Sequence, residues 1–209
     1  MIKTAFMSFL NPIDTTRYTY EEWIRFAFDH PVSDPNWYHT EEGEFECAPA
    51  IVISYYTRLF REPCKFLLSY DEVRLEQGCW LIASEQLSKW LWDGDLSIDL
   101  RRACIEAMPM LFRDFFQDHP LETACSMWWD MLRNFKGNID SRIVDAMVNA
   151  LEKTLQLPAR HCQMSALHGL GHLQHKSKEA IIQAFLAHQS NVDTELRDYA
   201  EMAIAGKVL

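Results

Sequence analysis

Glycine and proline are scarce in this chain of 209 residues, which has only 7 and 8 of them. Long linkers and low-complexity tracts need these residues, so their scarcity argues against both. Hydrophobic residues make up 48% of the chain, which is enough to fill a sizeable core. We therefore expect one continuous domain over residues 1–209.

Long apolar runs are also missing. No stretch of the sequence is apolar for the length of a membrane span, and residues 1–10 are too short and too weakly charged for a signal peptide. The six cysteines form no Cys-x-x-Cys pair, and most lie in apolar runs where cysteine acts as a small hydrophobic residue. We expect a cytoplasmic protein with reduced thiols and no membrane contact.

Basic residues are fewer than acidic residues in this chain. The chain has 20 Lys and Arg against 30 Asp and Glu, so its formal net charge is −10 at pH 7. The N-terminal third is the most acidic part, because residues 14–76 hold 13 acids and 6 bases. Such a field repels phosphate backbones and attracts cationic proteins. The charge therefore disfavours a nucleic-acid partner and favours a protein partner with a basic surface.

The common catalytic signatures are absent. The sequence has no Gly-x-Gly-x-x-Gly, no Gly-Lys-Ser/Thr phosphate loop and no Gly-x-Ser-x-Gly nucleophile turn. We expect a non-catalytic protein without a cofactor.

Apolar residues recur at three- and four-residue spacing along most of the chain, which is typical of amphipathic helices. Turn-forming residues separate the runs, and no strand-turn-strand pattern occurs after residue 71. The pattern predicts an all-α fold. The predicted helices are 19–30, 50–61, 71–92, 97–117, 121–135, 140–156, 159–174, 177–188 and 193–206.

The longest predicted loop, residues 31–49, belongs to an N-terminal cap over residues 1–70. Its Trp37 and Tyr38 are followed by four glutamates, and together these side chains would suit a basic partner. Equally, the two aromatic side chains can fold back and close the end of a helical array. We therefore assign six residues to a partner-binding surface, namely Trp37, Tyr38, Glu41, Glu42, Glu44 and Glu46. The capping role of the two aromatic residues remains the alternative.

Residues 121–209 repeat with a period of 37. When the sequence is aligned with itself at this offset, similar residues fall in the same column. The columns are Cys125, Cys162 and Tyr199; Arg160 and Arg197; Ala166 and Ala203; Leu167 and Ile204; and Gly169 and Gly206. A fixed period of this length indicates stacked supersecondary units, which bury their apolar faces against one another.

The segments 158–173 and 195–209 carry a family resemblance. Each has an arginine near its start, small residues in the middle and a glycine near its end, which resembles HEAT-type helical repeats. The resemblance is clearest over 121–209, and the helices over 71–118 are compatible with earlier, degenerate units. It implies a solenoid of antiparallel helix pairs stacked over residues 71–209, and it implies little about activity.

Four histidines lie close together in sequence near the end of the chain. On one continuous helix, His161, His168, His172 and His175 would fall within a stripe about 60° wide. The apolar residues of the helix point elsewhere, so the stripe would be partly exposed. We assign His168, His172 and His175 to the partner surface.

Imidazoles three and four residues apart can also bind a transition metal. Two features oppose this alternative. No carboxylate lies within the stretch, and Gly169 and Gly171 each weaken a helix by about 1 kcal/mol relative to alanine. We therefore expect no metal.

These expectations combine into one leading hypothesis and two alternatives. The leading hypothesis is a protein-binding module, an adaptor or an immunity-type inhibitor of a basic protein. The first alternative is a metal-dependent enzyme or sensor that uses the histidine stripe on the helix 159–174. The second is a DNA-repair-like HEAT protein, which the net charge opposes.

Overall fold

The computed structural model describes residues 18–32, 37, 47–132, 140–189 and 192–208, and of residues 85 and 86 the backbone alone. Every regular element within these ranges is helical and none is a strand, so the all-α prediction is confirmed for them. None of the helices described has the length and apolar character needed to cross a membrane.

The α-helices are α1 (Tyr20–Phe28), α2 (Pro49–Arg61), α3 (Pro63–Leu67), α4 (Glu72–Trp80), α5 (Ser88–Leu91), α6 (Ile98–Leu111), α7 (Ala124–Met131), α8 (Ser141–Leu155), α9 (Arg160–His172), α10 (Lys178–His188) and α11 (Thr194–Ile204). Each predicted helical segment overlaps an observed helix. The short α3 has no counterpart in the prediction.

Helix starts follow from local side-chain chemistry. Thr19 and Glu22 form a reciprocal capping box at the start of α1, in which the Thr19 amide donates to Glu22 Oε2 at 2.8 Å. Asp140 accepts from the Arg142 amide before α8, and Asp193 accepts from the Leu196 amide before α11.

Two π-helical segments extend the α-helices. Leu81–Leu87 joins α4 to α5, and Phe112–Phe116 continues α6. The amide of Gln117 donates to the carbonyl of Phe112 at 2.9 Å, a bond that spans five residues. This segment buries Phe112, Phe115 and Phe116 in the core.

Contacts between helices run in two series. In the first, α1 contacts α4, α4 contacts α7, α7 contacts α9, and α9 contacts α11. In the second, α2 contacts α6, α6 contacts α8, and α8 contacts α10. The α8–α9 and α10–α11 contacts link the two series. Helix α9 therefore lies against α7, α8 and α11 together.

Candidate functional site

Three polar side chains from two helices meet beside the aromatic core. His168 and His172 lie one turn apart on α9, and Asp130 faces them from α7. The Nε2 atoms of the two histidines are 3.2 Å apart. Asp130 Oδ1 lies 3.3 Å from His172 Nε2 and 3.9 Å from His168 Nε2. Two imidazoles and one carboxylate thus point to the same place.

The triangle formed by these atoms has the dimensions of a metal site. Ligand atoms around a tetrahedral zinc ion lie about 3.3 Å apart, which follows from bond lengths of about 2.0–2.1 Å. A point about 2.0 Å from all three atoms exists within the observed triangle, because its sides are 3.2, 3.3 and 3.9 Å. These residues can therefore bind an ion with little movement.

The three side chains of the site differ in exposure. The side chain of His168 is 7% exposed, whereas those of His172 and Asp130 are 19% and 23% exposed. Next to Asp130, Trp129 is buried and stacks on Phe112 with 5.6 Å between ring centroids. The ligand atom Asp130 Oδ1 is itself buried, so the exposed parts of these two side chains lie outside the triangle of ligand atoms.

A glycine allows α9 to approach α7 this closely. A Cβ atom on Gly169 would lie 2.6 Å from Leu151 Cδ2 and 2.7 Å from Trp129 Cβ, far inside van der Waals contact. Gly171 has a similar role, since its Cβ would lie 2.4 Å from Val208 Cγ2. We expected both glycines to loosen a metal site, but Gly169 instead permits the contact that brings the ligands together.

His168 has a partner at its other ring nitrogen. Its Nδ1 lies 2.7 Å from the hydroxyl oxygen of Tyr199 on α11. Partial burial raises the pKa of Tyr199 above its ordinary value, so the phenol stays protonated at neutral pH. Helix α11 therefore contributes to the site from behind the ligands.

The predicted histidine stripe ends at His172, because helix α9 ends there. His161 Nε2 donates to the Phe116 carbonyl at 2.8 Å. It therefore contacts a different segment from the one that His168 and His172 contact. Helix α9 ends at His172, so His175 lies beyond it, where its Nε2 donates to Asp145 Oδ1 at 3.1 Å. His168 is buried rather than partly exposed. The end of the helix, at His172 against the predicted residue 174, separates His175 from the others.

Trp37 packs inside the molecule. It is 4% exposed, its ring stacks on His30 with 3.6 Å between centroids, and it meets Phe26 edge-on. This arrangement agrees with the capping alternative and leaves little of the side chain for a partner. Outside the described residues lie the other members of the predicted loop surface, Tyr38, Glu41, Glu42, Glu44 and Glu46. Their assignment stays a prediction.

Sequence reasoning missed Asp130 and Tyr199 as members of the site. One signal could have found Asp130, because the 37-residue period places it in the column of Leu167 and Ile204, where it is the only charged residue. Both of those equivalents are apolar, and an acid in an apolar column indicates a special role. Tyr199 gave no such signal.

No protein-family model, no curated protein and no solved structure matches the chain.

Proposed function

We propose that this protein binds one divalent transition-metal ion through Asp130, His168 and His172. The observation that carries the proposal is the triangle of ligand atoms, whose sides of 3.2, 3.3 and 3.9 Å surround a point at metal–ligand distance from each. This triangle favours the alternative of a metal-dependent enzyme or sensor over the leading hypothesis, in which the protein binds no metal.

The donor set indicates the class of ion. Two imidazole nitrogens and one carboxylate suit zinc, iron, cobalt or nickel better than the all-oxygen sites that calcium and magnesium prefer. Three protein ligands leave at least one coordination position for water or a small ligand. Catalytic zinc sites have this open arrangement, whereas structural sites are closed by four protein ligands. Asp130 Oδ1 is buried, so a small ligand would have to reach that position past the partly exposed side chains of Asp130 and His172.

Metal analysis of the protein tests the proposal. Protein purified without a histidine tag, stripped with a chelator and titrated with Zn²⁺ or Co²⁺ should bind one equivalent. The variants Asp130→Asn and His172→Gln should each weaken binding at least tenfold. His188→Gln is the matched control, because His188 is an exposed histidine at the end of α10 that donates to its own helix at the Ala184 carbonyl. Equal binding by all four proteins would refute the site.

The helix contacts support a proposal about architecture. The two series, α1–α4–α7–α9–α11 and α2–α6–α8–α10, are what stacked helix pairs would produce. We propose a HEAT-like solenoid in which α8–α9 and α10–α11, the sequential neighbours that contact each other, are successive units after α7. In it, the metal ligands bridge two consecutive units.

Protein binding stays a second candidate, and the net charge of −10 favours it. An acidic surface accelerates association with a basic protein, and salt weakens this effect. Replacement of Glu41, Glu42, Glu44 and Glu46 by Gln should slow association with a partner captured by pull-down and flatten its salt dependence. An unchanged rate would remove the electrostatic argument.

A further inference from the structure

A groove lies between the second half of α2 and the first half of α6, two helices that pack against each other. It encloses about 410 Å³, a volume typical of sites for small molecules. None of the residues that line it belongs to the proposed metal site. We propose that this groove binds a small aliphatic carboxylate, with the charged group at Arg61 and the apolar chain along α6.

Arg61 supplies the positive charge. It is the last residue of α2, and its side chain has no hydrogen bond or ion pair with any residue that the structure describes. Burial raises the pKa of the Cys104 thiol in α6 to about 12, and the charge of Arg61 acts in the opposite direction, so the guanidinium lies near α6. A guanidinium presents paired N–H groups that fit the two oxygens of a carboxylate.

The other charged groups of the groove already have partners of opposite sign. Arg58 Nη2 lies 3.7 Å from Glu21 Oε1, and Glu62 Oε2 lies 3.4 Å from Lys65 Nζ. One positive charge, that of Arg61, is therefore left over in the groove, although the whole chain has a net charge of −10. This local excess favours an anion over a cation or a neutral ligand.

The two hydroxyl groups of the groove do not compete with Arg61 for an anion. Ser54 Oγ donates to the Ile51 carbonyl at 2.6 Å, and Thr57 Oγ1 donates to the Ile53 carbonyl at 2.8 Å. Their protons are thus used within α2. An anion has to bind at the arginine end of the groove.

Leu100 and Ala103 of α6 form the apolar side of the groove. Leu100 is 37% exposed, which is unusual for a large apolar side chain among the described residues. Ala103, three residues further along α6, is half-buried. An aliphatic chain that extends from Arg61 along α6 would remove this apolar surface from water.

NMR titration of the ¹⁵N-labelled protein with three probes tests the groove. Hexanoate has both the charge and the chain, acetate lacks the chain, and 1-hexanol lacks the charge. Hexanoate should bind saturably and shift the amide signals of residues 54–62 and 100–103. The other two probes should bind at least about fivefold more weakly. The inference is wrong if hexanoate does not saturate, if it shifts other regions instead, or if all three probes bind equally.

Variants separate the contributions of charge and chain. Arg61→Gln should weaken hexanoate binding at least about fivefold and leave hexanol binding unchanged, whereas Leu100→Ser should weaken both. Both side chains are exposed, so the variants should fold, and the remaining amide signals check this. The control is Arg197→Gln on α11, an exposed arginine whose side chain likewise has no ion pair with the described residues. Hexanoate affinity that is unchanged in Arg61→Gln, or reduced equally in Arg197→Gln, would overturn the inference.

Discussion

Single side chains in this protein join helices that are far apart in sequence, and Glu76 of α4 is the clearest case. Its Oε1 accepts from the amides of Thr123 and Ala124, both at 3.0 Å, and from Trp80 Nε1 at 2.9 Å. Its Oε2 accepts from the Glu122 amide at 3.1 Å. The carboxylate thus satisfies the exposed amides at the start of α7, where a negative charge is favoured.

Glu76→Ala should lower the free energy of unfolding by about 2–4 kcal/mol, since it removes several bonds to a charged acceptor and leaves the part-buried Ala124 amide without this partner. Denaturant unfolding measures the change. Glu72→Ala, an exposed substitution on the same helix, serves as the control and should change stability by less than about 0.5 kcal/mol. If the two variants are equally stable, Glu76 does not hold α4 to α7.

At the scale of helices, the position of α9 depends on a residue that weakens the helix. Gly169 costs helix stability relative to alanine, yet it allows the backbone of α9 to lie against Trp129 and Leu151. Tertiary packing decides here over local propensity. The distance between α7 and α9 sets the distance from Asp130 to the histidine pair.

Gly169→Ala should therefore destabilise the protein by about 1–3 kcal/mol, because its Cβ forces the helices apart in a tightly packed region. It should also weaken metal binding, since Asp130 moves away from His172. Thermal unfolding and a Zn²⁺ titration measure the two effects. Gly94→Ala, where a Cβ meets nothing within 4 Å, is the control. A more stable Gly169→Ala would show that helix propensity dominates.

The start of α11 gives a prediction of pH dependence. Hydrogen bonds from the Leu196 amide and from Arg160 lower the pKa of Asp193 below its ordinary value. The folded pKa then lies below the unfolded one, so the stabilisation is complete above about pH 4 and is lost as the pH falls through the folded value. The stability difference between wild type and Asp193→Ala should be constant from pH 7 to 5 and shrink below about pH 4. A constant difference down to pH 2 would contradict this.

At the scale of the whole molecule, the proposed ion would bridge α7 and α9, and Tyr199 would extend its effect to α11. A ligand that binds only the folded state stabilises it by about 2.7 kcal/mol at 100 times its Kd. For a chain of this size, that corresponds to an increase in Tm of about 5–10 °C.

We expect Zn²⁺ to raise the Tm of the wild type by this amount and to slow amide hydrogen exchange in α7, α9 and α11 together. Asp130→Asn should show neither effect under the same conditions. Protection of α9 alone would indicate that the ion binds the two histidines without Asp130.

The sequence by itself determined the helices and the pairing of His168 with His172. Apolar periodicity and turn residues located the helices because both are local signals. The shared direction of the two imidazoles follows from their spacing of four residues, whatever surrounds the helix.

Only the tertiary structure decided what the histidines face. Asp130 is 38 residues from His168 in sequence, and it reaches the pair because Gly169 lets two helices approach. Tyr199 comes from a third helix, and Trp37 turns inward onto His30. These contacts depend on how helices pack, and packing is set by the complementary shapes of surfaces that no local pattern in the chain describes.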